Sequence, residues 1–228
     1  MSNPAPKSCF ITGTDTGIGK TRFALELMRY GKQLGLNVAG MKPVACGSVK
    51  TDQGYRNEDA LAIQAECSRP QRYEDVNPYA YLDPVAPLIA AIRENRSISM
   101  ETIIQAYDRL RSTTELIVIE GIGGWKIHLD EEIMLSDLVA RLQLPVILVV
   151  GLRLGCLNHA LLTVECIHRD GLTLCGWVAN SVDSEFTDQE ESIRFLQRTI
   201  SAPLLARMPY ACPTLASEIY WEGISNIL

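Results

Sequence analysis

The stretch Gly13-Thr-Asp-Thr-Gly-Ile-Gly-Lys-Thr21 decides how the rest of this sequence is interpreted. The apolar run Cys9-Phe-Ile-Thr12 precedes it, and apolar residues at helical spacing follow it as far as Leu34. A strand, a glycine-rich turn and a helix in this order form the setting in which backbone N–H groups and a helix N-terminus bind phosphate. In such a loop Lys20 reaches the terminal phosphates and the hydroxyl of Thr21 binds Mg²⁺. The stretch therefore predicts nucleotide binding, but it does not identify a reaction.

The loop departs from the common phosphate-binding pattern by one residue. Five residues separate Gly13 from Gly19, and Thr14 stands where the first glycine of the pattern belongs. The alternative is a chance Gly-Lys-Thr in a turn, and the flanking strand and helix disfavour it. Some variants of this loop contribute an additional lysine of their own, but here that position is Asp15.

Composition places the chain among ordinary α/β proteins. Its 228 residues are 47% hydrophobic and 21% charged, which is enough to bury a sizeable core in one domain. The formal net charge of −6 and the lack of a basic run argue against a nucleic-acid surface. No apolar run is long enough to span a membrane, and Met1–Lys7 does not read as a signal peptide.

Cysteine usage indicates a reducing compartment. The chain has seven cysteines, an odd number, and no Cys-x-x-Cys pair. This pattern argues against a disulfide framework or a zinc site, and it predicts a cytoplasmic protein.

Strand and helix patterns alternate along the whole chain. They predict an α/β fold in which residues 1–228 form one doubly wound domain, with a mostly parallel sheet and helices on both faces. Segments 43–48 and 51–57 are predicted as loops, 151–156 as a turn, and the residues after 208 as irregular to helical. The predicted strands are 8–12, 38–42, 116–119, 146–150, 174–179 and 204–208, and the predicted helices are 20–34, 58–66, 88–94, 100–112, 135–142, 158–169 and 185–199.

Ligands of such sheets bind beyond the carboxyl ends of the strands, which directs attention to the strand-end residues. Glu120 ends an apolar strand and is followed by glycines, so its carboxylate could bind Mg²⁺. Asp59 on its own could be a helix cap or a first-turn acid, but with Thr21 and Glu120 it completes an all-oxygen set suited to Mg²⁺.

Two further strand-end residues carry polar chemistry. Lys42 follows a strand directly, and its charge could stabilise a transition state. It is the best candidate for a second cation, because the loop has Asp15 at the position of the additional lysine. Asn180 could contact a base edge or merely cap a turn, and the sequence leaves both alternatives open.

Several stretches together resemble the dethiobiotin synthetase family, from about Phe10 to Tyr210. The segment containing Lys42 and the one ending at His159 are more specific than the phosphate loop. The matching stretches are Thr12–Thr21, Gly40-Met-Lys-Pro-Val-Ala-Cys-Gly-Ser48, Arg56-Asn-Glu-Asp-Ala60, Asn77-Pro-Tyr79, Glu120-Gly-Ile-Gly-Gly-Trp125, Leu144-Pro-Val-Ile-Leu-Val-Val-Gly151, Leu154-Gly-Cys-Leu-Asn-His159, Gly171-Leu-Thr-Leu-Cys-Gly-Trp-Val-Ala-Asn180 and Ala202-Pro-Leu-Leu205.

The resemblance implies a homodimeric enzyme of biotin synthesis that uses ATP and Mg²⁺. The family joins CO₂ to the two amines of 7,8-diaminopelargonate and closes the ureido ring of dethiobiotin. A carbamate and then a carbamic-phosphoric anhydride are the implied intermediates. Membrane and nucleic-acid partners are not implied.

Site residues follow from the resemblance position by position. Lys20, Lys42 and Thr16 are implied to act in catalysis, and Thr21, Asp59 and Glu120 to bind the metal. The implied nucleotide-binding residues are Gly17, Ile18, Gly19, Lys20, Thr21, Arg22, Asp59, Glu120, Gly121, Ile122, Gly123, Asn180, Ser181, Pro209, Tyr210 and Ala211. The implied substrate-binding residues are Lys42, Cys46, Gly155, Cys156, Leu157 and Asn158, the last four being supplied by the partner subunit.

The chain departs from the family at two of these positions. Cys46 stands where a substrate-contacting serine is common, and Gly17 where some members have a glutamate. Because a nearby lysine lowers the pKa of a thiol, Lys42 predicts that Cys46 is reactive toward thiol reagents. The alternative for Cys46 is a buried, inert cysteine.

Two other functions compete with this interpretation. A related amidoligase of the cobyrinic-acid type carries a glutaminase domain, for which this chain has no room. A nucleotide-switched partition or metal-delivery protein usually carries the loop lysine, here Asp15, or a Cys/His metal site.

Overall fold

We describe residues 7–210 and 219–222 in a computed structural model of the chain; Ala211 and Cys212 lie outside these ranges. The strands are β1 Lys7–Gly13, β2 Val38–Met41, β3 Val44–Ala45, β4 Val49–Thr51, β5 Gly54–Arg56, β6 Tyr79–Ala80, β7 Leu116–Glu120, β8 Val146–Leu152, β9 Leu174–Ser181, β10 Leu204–Met208 and β11 Tyr220–Trp221. The helices are α1 Lys20–Gln33, α2 Glu58–Glu66, α3 Tyr73–Val76, α4 Pro87–Arg93, α5 Met100–Arg111, α6 Leu135–Arg141, α7 Cys156–Arg169 and α8 Gln189–Thr199.

Seven strands form the central sheet, in the order β11-β10-β9-β8-β1-β7-β2. All neighbouring pairs are parallel except β10 with β11. The phosphate-loop strand β1 lies between β7 and β8, although both follow it far along the chain. The predicted α/β class with a mostly parallel sheet is confirmed.

Alternate residues of the sheet pack into two separate hydrophobic clusters, one on each face. Phe10 and Leu148 belong to one cluster, whereas their chain neighbours Ile11 and Val149 belong to the other. This alternation follows from the two-residue period of a strand. All five residues of β7, a largely β-branched run, are buried because helices cover both faces.

Strand register brings the ends of β2 and β7 side by side. Met41 is paired with Ile119, so Lys42, the residue after β2, lies beside Glu120, the last residue of β7. This pairing positions the acid–base cluster described below.

Several local predictions were wrong. Segment 51–57 was predicted as a loop, but β4 and β5 form an antiparallel hairpin there. Both strands are polar and largely exposed, so they lack the apolar alternation that would have revealed them. In the predicted loop 43–48, β3 pairs with β6, and the carbonyl of Pro43 accepts the N–H of Tyr79 at 3.2 Å. A proline lacks the N–H donor but keeps its acceptor.

Other differences concern the ends of elements. β8 continues to Leu152 into the predicted turn, and β9 continues to Ser181. Helix α3 was not predicted, and β11 lies in the part expected to be irregular or helical. Among residues 7–210 and 219–222, no helix combines the length and apolarity needed to cross a bilayer.

Candidate active site

The phosphate loop joins β1 to α1 and exposes backbone donors. Gly17 and Gly19 have φ values of 71° and 86°, in the left-handed region that favours glycine. The Ile18 side chain is buried under the loop, within 2.7 Å of a Cβ placed on Gly13 and 2.6 Å of one placed on Gly151. No side chain caps the start of α1, so its first N–H groups are available to an anion.

Lys20 is buried and its ammonium donates to the carbonyl oxygen of Asp15 at 2.8 Å. The pKa of Lys20 is lowered to about 8, chiefly by burial and also by the neighbouring Lys42, while Glu120 only partly opposes the shift. The nearby carboxylates therefore do not fully balance the positive charge of Lys20, and a phosphate beside it would supply the missing negative charge.

Lys42 lies at the centre of a buried polar cluster. Its Nζ donates to Glu120 Oε1 at 2.7 Å and to Asp59 Oδ2 at 2.9 Å. The Thr21 hydroxyl donates to the same Glu120 oxygen at 2.7 Å. Burial opposes the charge on Lys42, but the carboxylates of Glu120 and Asp59 outweigh burial and raise its pKa. Lys42 therefore stays protonated.

The same cluster has the composition of a magnesium site. Thr21, Asp59 and Glu120 supply only oxygen, and the second Glu120 oxygen, Oε2, is buried without a hydrogen-bond partner in the described residues. Mg²⁺ is usually held by one or two carboxylates together with phosphate and water, so these residues fit it. Within residues 7–210 and 219–222, no group of three or more His, Cys, Asp or Glu side chains could hold a metal alone.

A cleft of about 670 Å³ opens above these groups. One wall carries the charged and loop residues, and the other is apolar, formed by segment 84–87, Ile122 and Ile127. The predicted site residues that line it are Thr16, Gly17, Gly19, Lys20, Thr21, Lys42, Cys46, Asp59, Glu120, Gly121, Ile122 and Gly123.

Asn180 packs against the phosphate loop from β9. Its Nδ2 donates to the carbonyl of Ile18 at 2.7 Å, and a Cβ on Gly19 would lie only 2.2 Å from that nitrogen. Its Oδ1 is buried and has no partner among the described residues. The amide nitrogen of Asn180 therefore supports the loop, and its amide oxygen is a buried hydrogen-bond acceptor.

The remaining predicted nucleotide residues lie beside Asn180. Arg22 donates to the carbonyl of Pro209 at 2.7 Å, which ties α1 to the end of β10. The Ser181 hydroxyl is bonded to Gln189 Oε1 at 2.5 Å, and Tyr210 is exposed. The predicted contact at Ala211 lies outside the described residues.

The turn at the start of α7 lies apart from the cleft. Among the described residues, those that line the cleft do not include the predicted substrate residues Gly155, Cys156, Leu157 and Asn158. The preceding Arg153 forms an ion pair with Asp15, whose Oδ1 also accepts the N–H of Thr16 at 2.7 Å. These two hydrogen bonds lower the pKa of Asp15, the Thr16 bond most, and connect the turn to the phosphate loop.

The expectation that Lys42 lowers the pKa of the Cys46 thiol is wrong. Cys46 does line the cleft, but the pKa of its thiol is raised to about 11, chiefly by burial and also by Glu94, and Lys42 only partly opposes them. The sequence places Lys42 four residues away but does not reveal how deeply the thiol is buried.

We expect the alkylation rate of Cys46 to rise about tenfold per pH unit between pH 7 and 10, because only the thiolate reacts and a raised pKa keeps it scarce until high pH. Iodoacetamide labelling followed by peptide mass spectrometry measures the rate, and Cys46→Ser is the control that confirms the labelled site. Rapid labelling at pH 7.5 with a plateau above pH 8 would contradict this expectation.

Sequence reasoning did not identify the apolar wall of the cleft. In the sequence, Asp83-Pro84 indicates only a turn. Proline spacing indicates a turn, but nothing in it indicates which face of the molecule the turn covers.

The fold and the phosphate loop define a nucleotide-binding protein of the P-loop class. A family described as "AAA domain" matches residues 7–216. The ParA family ATPase from Chlorobium tepidum superposes with a TM-score of 0.54 at 12% identity, covering 91% of this chain and 86% of that one. The GDP complex of the receptor FtsY from Elizabethkingia anophelis superposes with a TM-score of 0.52 at 14% identity, covering 98% of this chain and 62% of that one. These likenesses show the fold alone.

Sequence similarity to curated proteins is much closer. The ATP-dependent dethiobiotin synthetase of Xanthomonas oryzae is 46% identical over 90% of this chain and 92% of its own length. That of Cellvibrio japonicus is 47% identical over 89% of this chain and 89% of its own length. That of Xylella fastidiosa is 42% identical over 94% of this chain and 97% of its own length. The chain belongs to the dethiobiotin synthetase family. The predicted resemblance is confirmed, and so is the assignment as an ATP-dependent ligase of biotin biosynthesis.

Proposed function

We propose that this enzyme converts 7,8-diaminopelargonate, CO₂ and ATP into dethiobiotin, ADP and phosphate. The observation that carries the proposal is the pairing of two buried lysines and an oxygen cluster with an apolar wall in one cleft. The substrate has matching chemistry, because two adjacent amines must meet a phosphoryl group while an aliphatic chain lies along apolar residues.

Bond making would proceed in three steps. One amine adds to CO₂ and loses a proton, giving a carbamate. A carbamate oxygen attacks the γ-phosphorus of ATP, and the bond to ADP breaks, leaving a carbamic-phosphoric anhydride. The second amine attacks the carbonyl carbon and loses a proton, and the C–O bond to phosphate breaks, so that phosphate leaves as the ureido ring closes. Such steps depend mainly on positioning and charge stabilisation.

The lysines supply positive charge at two places. Lys20 lies at the loop and would bind the β- and γ-phosphates in the ground state, because nearby carboxylates do not fully balance its positive charge. Lys42 sits deeper, against Glu120 and Asp59, and would stabilise the carbamate and the phosphoryl group during transfer. Thr16 lines the cleft above them and would contact the substrate or the phosphates.

Thr21, Asp59 and Glu120 would hold Mg²⁺, and the unpaired Glu120 Oε2 supports this. A bound Mg²⁺ would neutralise phosphate charge. Gly121–Gly123 would approach the phosphates closely, and the unpaired Oδ1 of Asn180 would accept a hydrogen bond from an amino group of the base. Ser181, Pro209, Tyr210 and Ala211 complete the proposed nucleotide site.

We place the substrate carboxylate at the start of α7 in a second copy of the chain. Gly155 opens this helix in a left-handed conformation, and no side chain caps its N–H groups. The turn is not part of its own chain's cleft, and Leu154 beside it is 90% exposed, as a residue covered by a partner would be. Gly155, Cys156, Leu157 and Asn158 would then act in the partner's site of a homodimer.

ADP release tests the proposed reaction. We expect release to require Mg²⁺, bicarbonate as the source of CO₂, and diaminopelargonate together, because the phosphoryl acceptor is the carbamate that they form. A coupled assay with each component omitted in turn measures this, and dethiobiotin is identified by mass spectrometry. ADP release that continues at the same rate without diaminopelargonate would contradict the proposal and would favour a nucleotide-switched protein.

A further inference from the structure

A chain of buried hydrogen bonds clamps the backbone of Lys42. Its N–H donates to the carbonyl of Val76 at 2.8 Å, and its carbonyl accepts from Asn77 Nδ2 at 2.6 Å. The side-chain oxygen of Asn77 in turn accepts from the hydroxyl of Tyr73 at 2.9 Å. Tyr73 and Asn77 are both buried, so water does not compete for these bonds.

The same Tyr73 hydroxyl supports the segment that carries Asp59. It accepts the N–H of Asn57 at 2.8 Å. The side chain of Asn57 caps α2 by accepting the N–H of Ala60 at 3.3 Å, and Asp59 lies in the first turn of that helix. The Tyr73 hydroxyl oxygen therefore bonds both to Asn77, which holds the backbone of Lys42, and to Asn57, which caps the helix that carries Asp59.

The Tyr73 ring is itself held in place. The guanidinium of Arg56 lies 4.1 Å from its centroid. Burial raises the pKa of the Tyr73 hydroxyl, and the bond from Asn57 only partly opposes this, so the hydroxyl keeps the proton that it donates to Asn77.

We propose that Tyr73 is a positioning residue for phosphoryl transfer, because its hydroxyl fixes where Lys42 stands relative to Asp59 and Glu120. The inference rests on the role proposed above for Lys42. Pro43 restricts Lys42 to extended backbone, and the two backbone hydrogen bonds of Lys42 then fix the direction of its side chain. Small displacements matter here, since a shift of about 1 Å in a reacting group can cost up to about 100-fold in rate.

The test compares two buried tyrosines that lose the same kind of bond. Tyr73→Phe removes a hydroxyl that accepts the N–H of Asn57, and the control Tyr79→Phe removes one that accepts the N–H of Ser99, also at 2.8 Å. Both variants should lower the unfolding midpoint. Only Tyr73→Phe should lower kcat, by about tenfold, with KM for MgATP changed less than threefold. Wild-type kcat in Tyr73→Phe, or an equal loss in Tyr79→Phe, would overturn the inference.

A double variant separates this inference from the proposed function. If Tyr73 acts only through Lys42, then Tyr73→Phe should cause no further loss of kcat in a Lys42→Ala background, and a second tenfold loss there would overturn the inference. Normal turnover in Lys42→Ala alone would instead remove the proposed role of Lys42. If Tyr73→Phe does not fold, Asn77→Ala breaks the same chain at its other end, and wild-type kcat in that variant would equally overturn the inference.

Discussion

Lys42→Ala is expected to lower kcat by roughly 10²- to 10³-fold while KM for MgATP changes little, as found when one preorganised electrostatic group is removed from an active site. The reason is its position, directly after β2 and 2.7 Å from Glu120, where we propose that it meets the phosphoryl group only during transfer. Lys20→Ala is expected to raise KM and lower kcat together, because Lys20 is proposed to bind the ground-state phosphates from the loop that it closes with its bond to Asp15.

Steady-state kinetics with varied MgATP distinguish the two lysines. Lys50→Ala is the matched control, since Lys50 lies on the exposed strand β4 and should behave as the wild type. Each variant's thermal unfolding must also be measured, because removing one partner of a buried ion pair costs about 3–5 kcal/mol. A Lys42→Ala enzyme that folds and turns over at the wild-type rate would exclude Lys42 from the chemistry.

Mixing two inactive variants is expected to restore about a quarter of wild-type activity if the α7 turn serves the partner's site. Lys20→Ala removes the phosphate site, and Asn158→Glu places a negative charge where the substrate carboxylate would bind. Asn158 is exposed and lies in the first turn of α7, where an acid stabilises a helix, so this variant should fold. Random exchange makes half of the dimers mixed, and each mixed dimer has one intact site out of two.

Activity is measured after subunit exchange has been confirmed with differently tagged copies. Asn158→Gln keeps the neutral side chain and is the control for the charge. If exchange is complete and the mixture is no more active than the two variants separately, the turn acts within its own chain and the shared site is excluded.

The sequence predicted those elements whose signals are local. Short β-branched runs such as Val146–Val150 favour buried strands, and the glycines before Lys20 indicate a phosphate loop wherever the strands lie. The exposed hairpin β4–β5 was missed because neither of its faces is apolar.

The site depends on contacts that local patterns do not encode. Lys42 meets Glu120 because β2 happens to pair with β7, and strand order is decided by the packing of the whole sheet. The pKa of Cys46 is raised chiefly by burial, with a contribution from Glu94, neither of which is visible in the motif around the cysteine. Family resemblance named these residues, but it did not reveal how they are held.

The position of β1 between β7 and β8 has a consequence for biosynthesis of the protein. The phosphate loop leaves the ribosome well before both strands that flank β1, which begin only at Leu116 and Val146. Pairing across such long separations is slow to form, because the intervening chain must first be closed into loops. Glu120 and Asn180 also follow the phosphate loop in the chain, so a nascent chain that ends before them lacks part of the proposed nucleotide site. If ATP binds as proposed, it would add stability once these residues have joined the sheet, because a ligand stabilises the state that binds it.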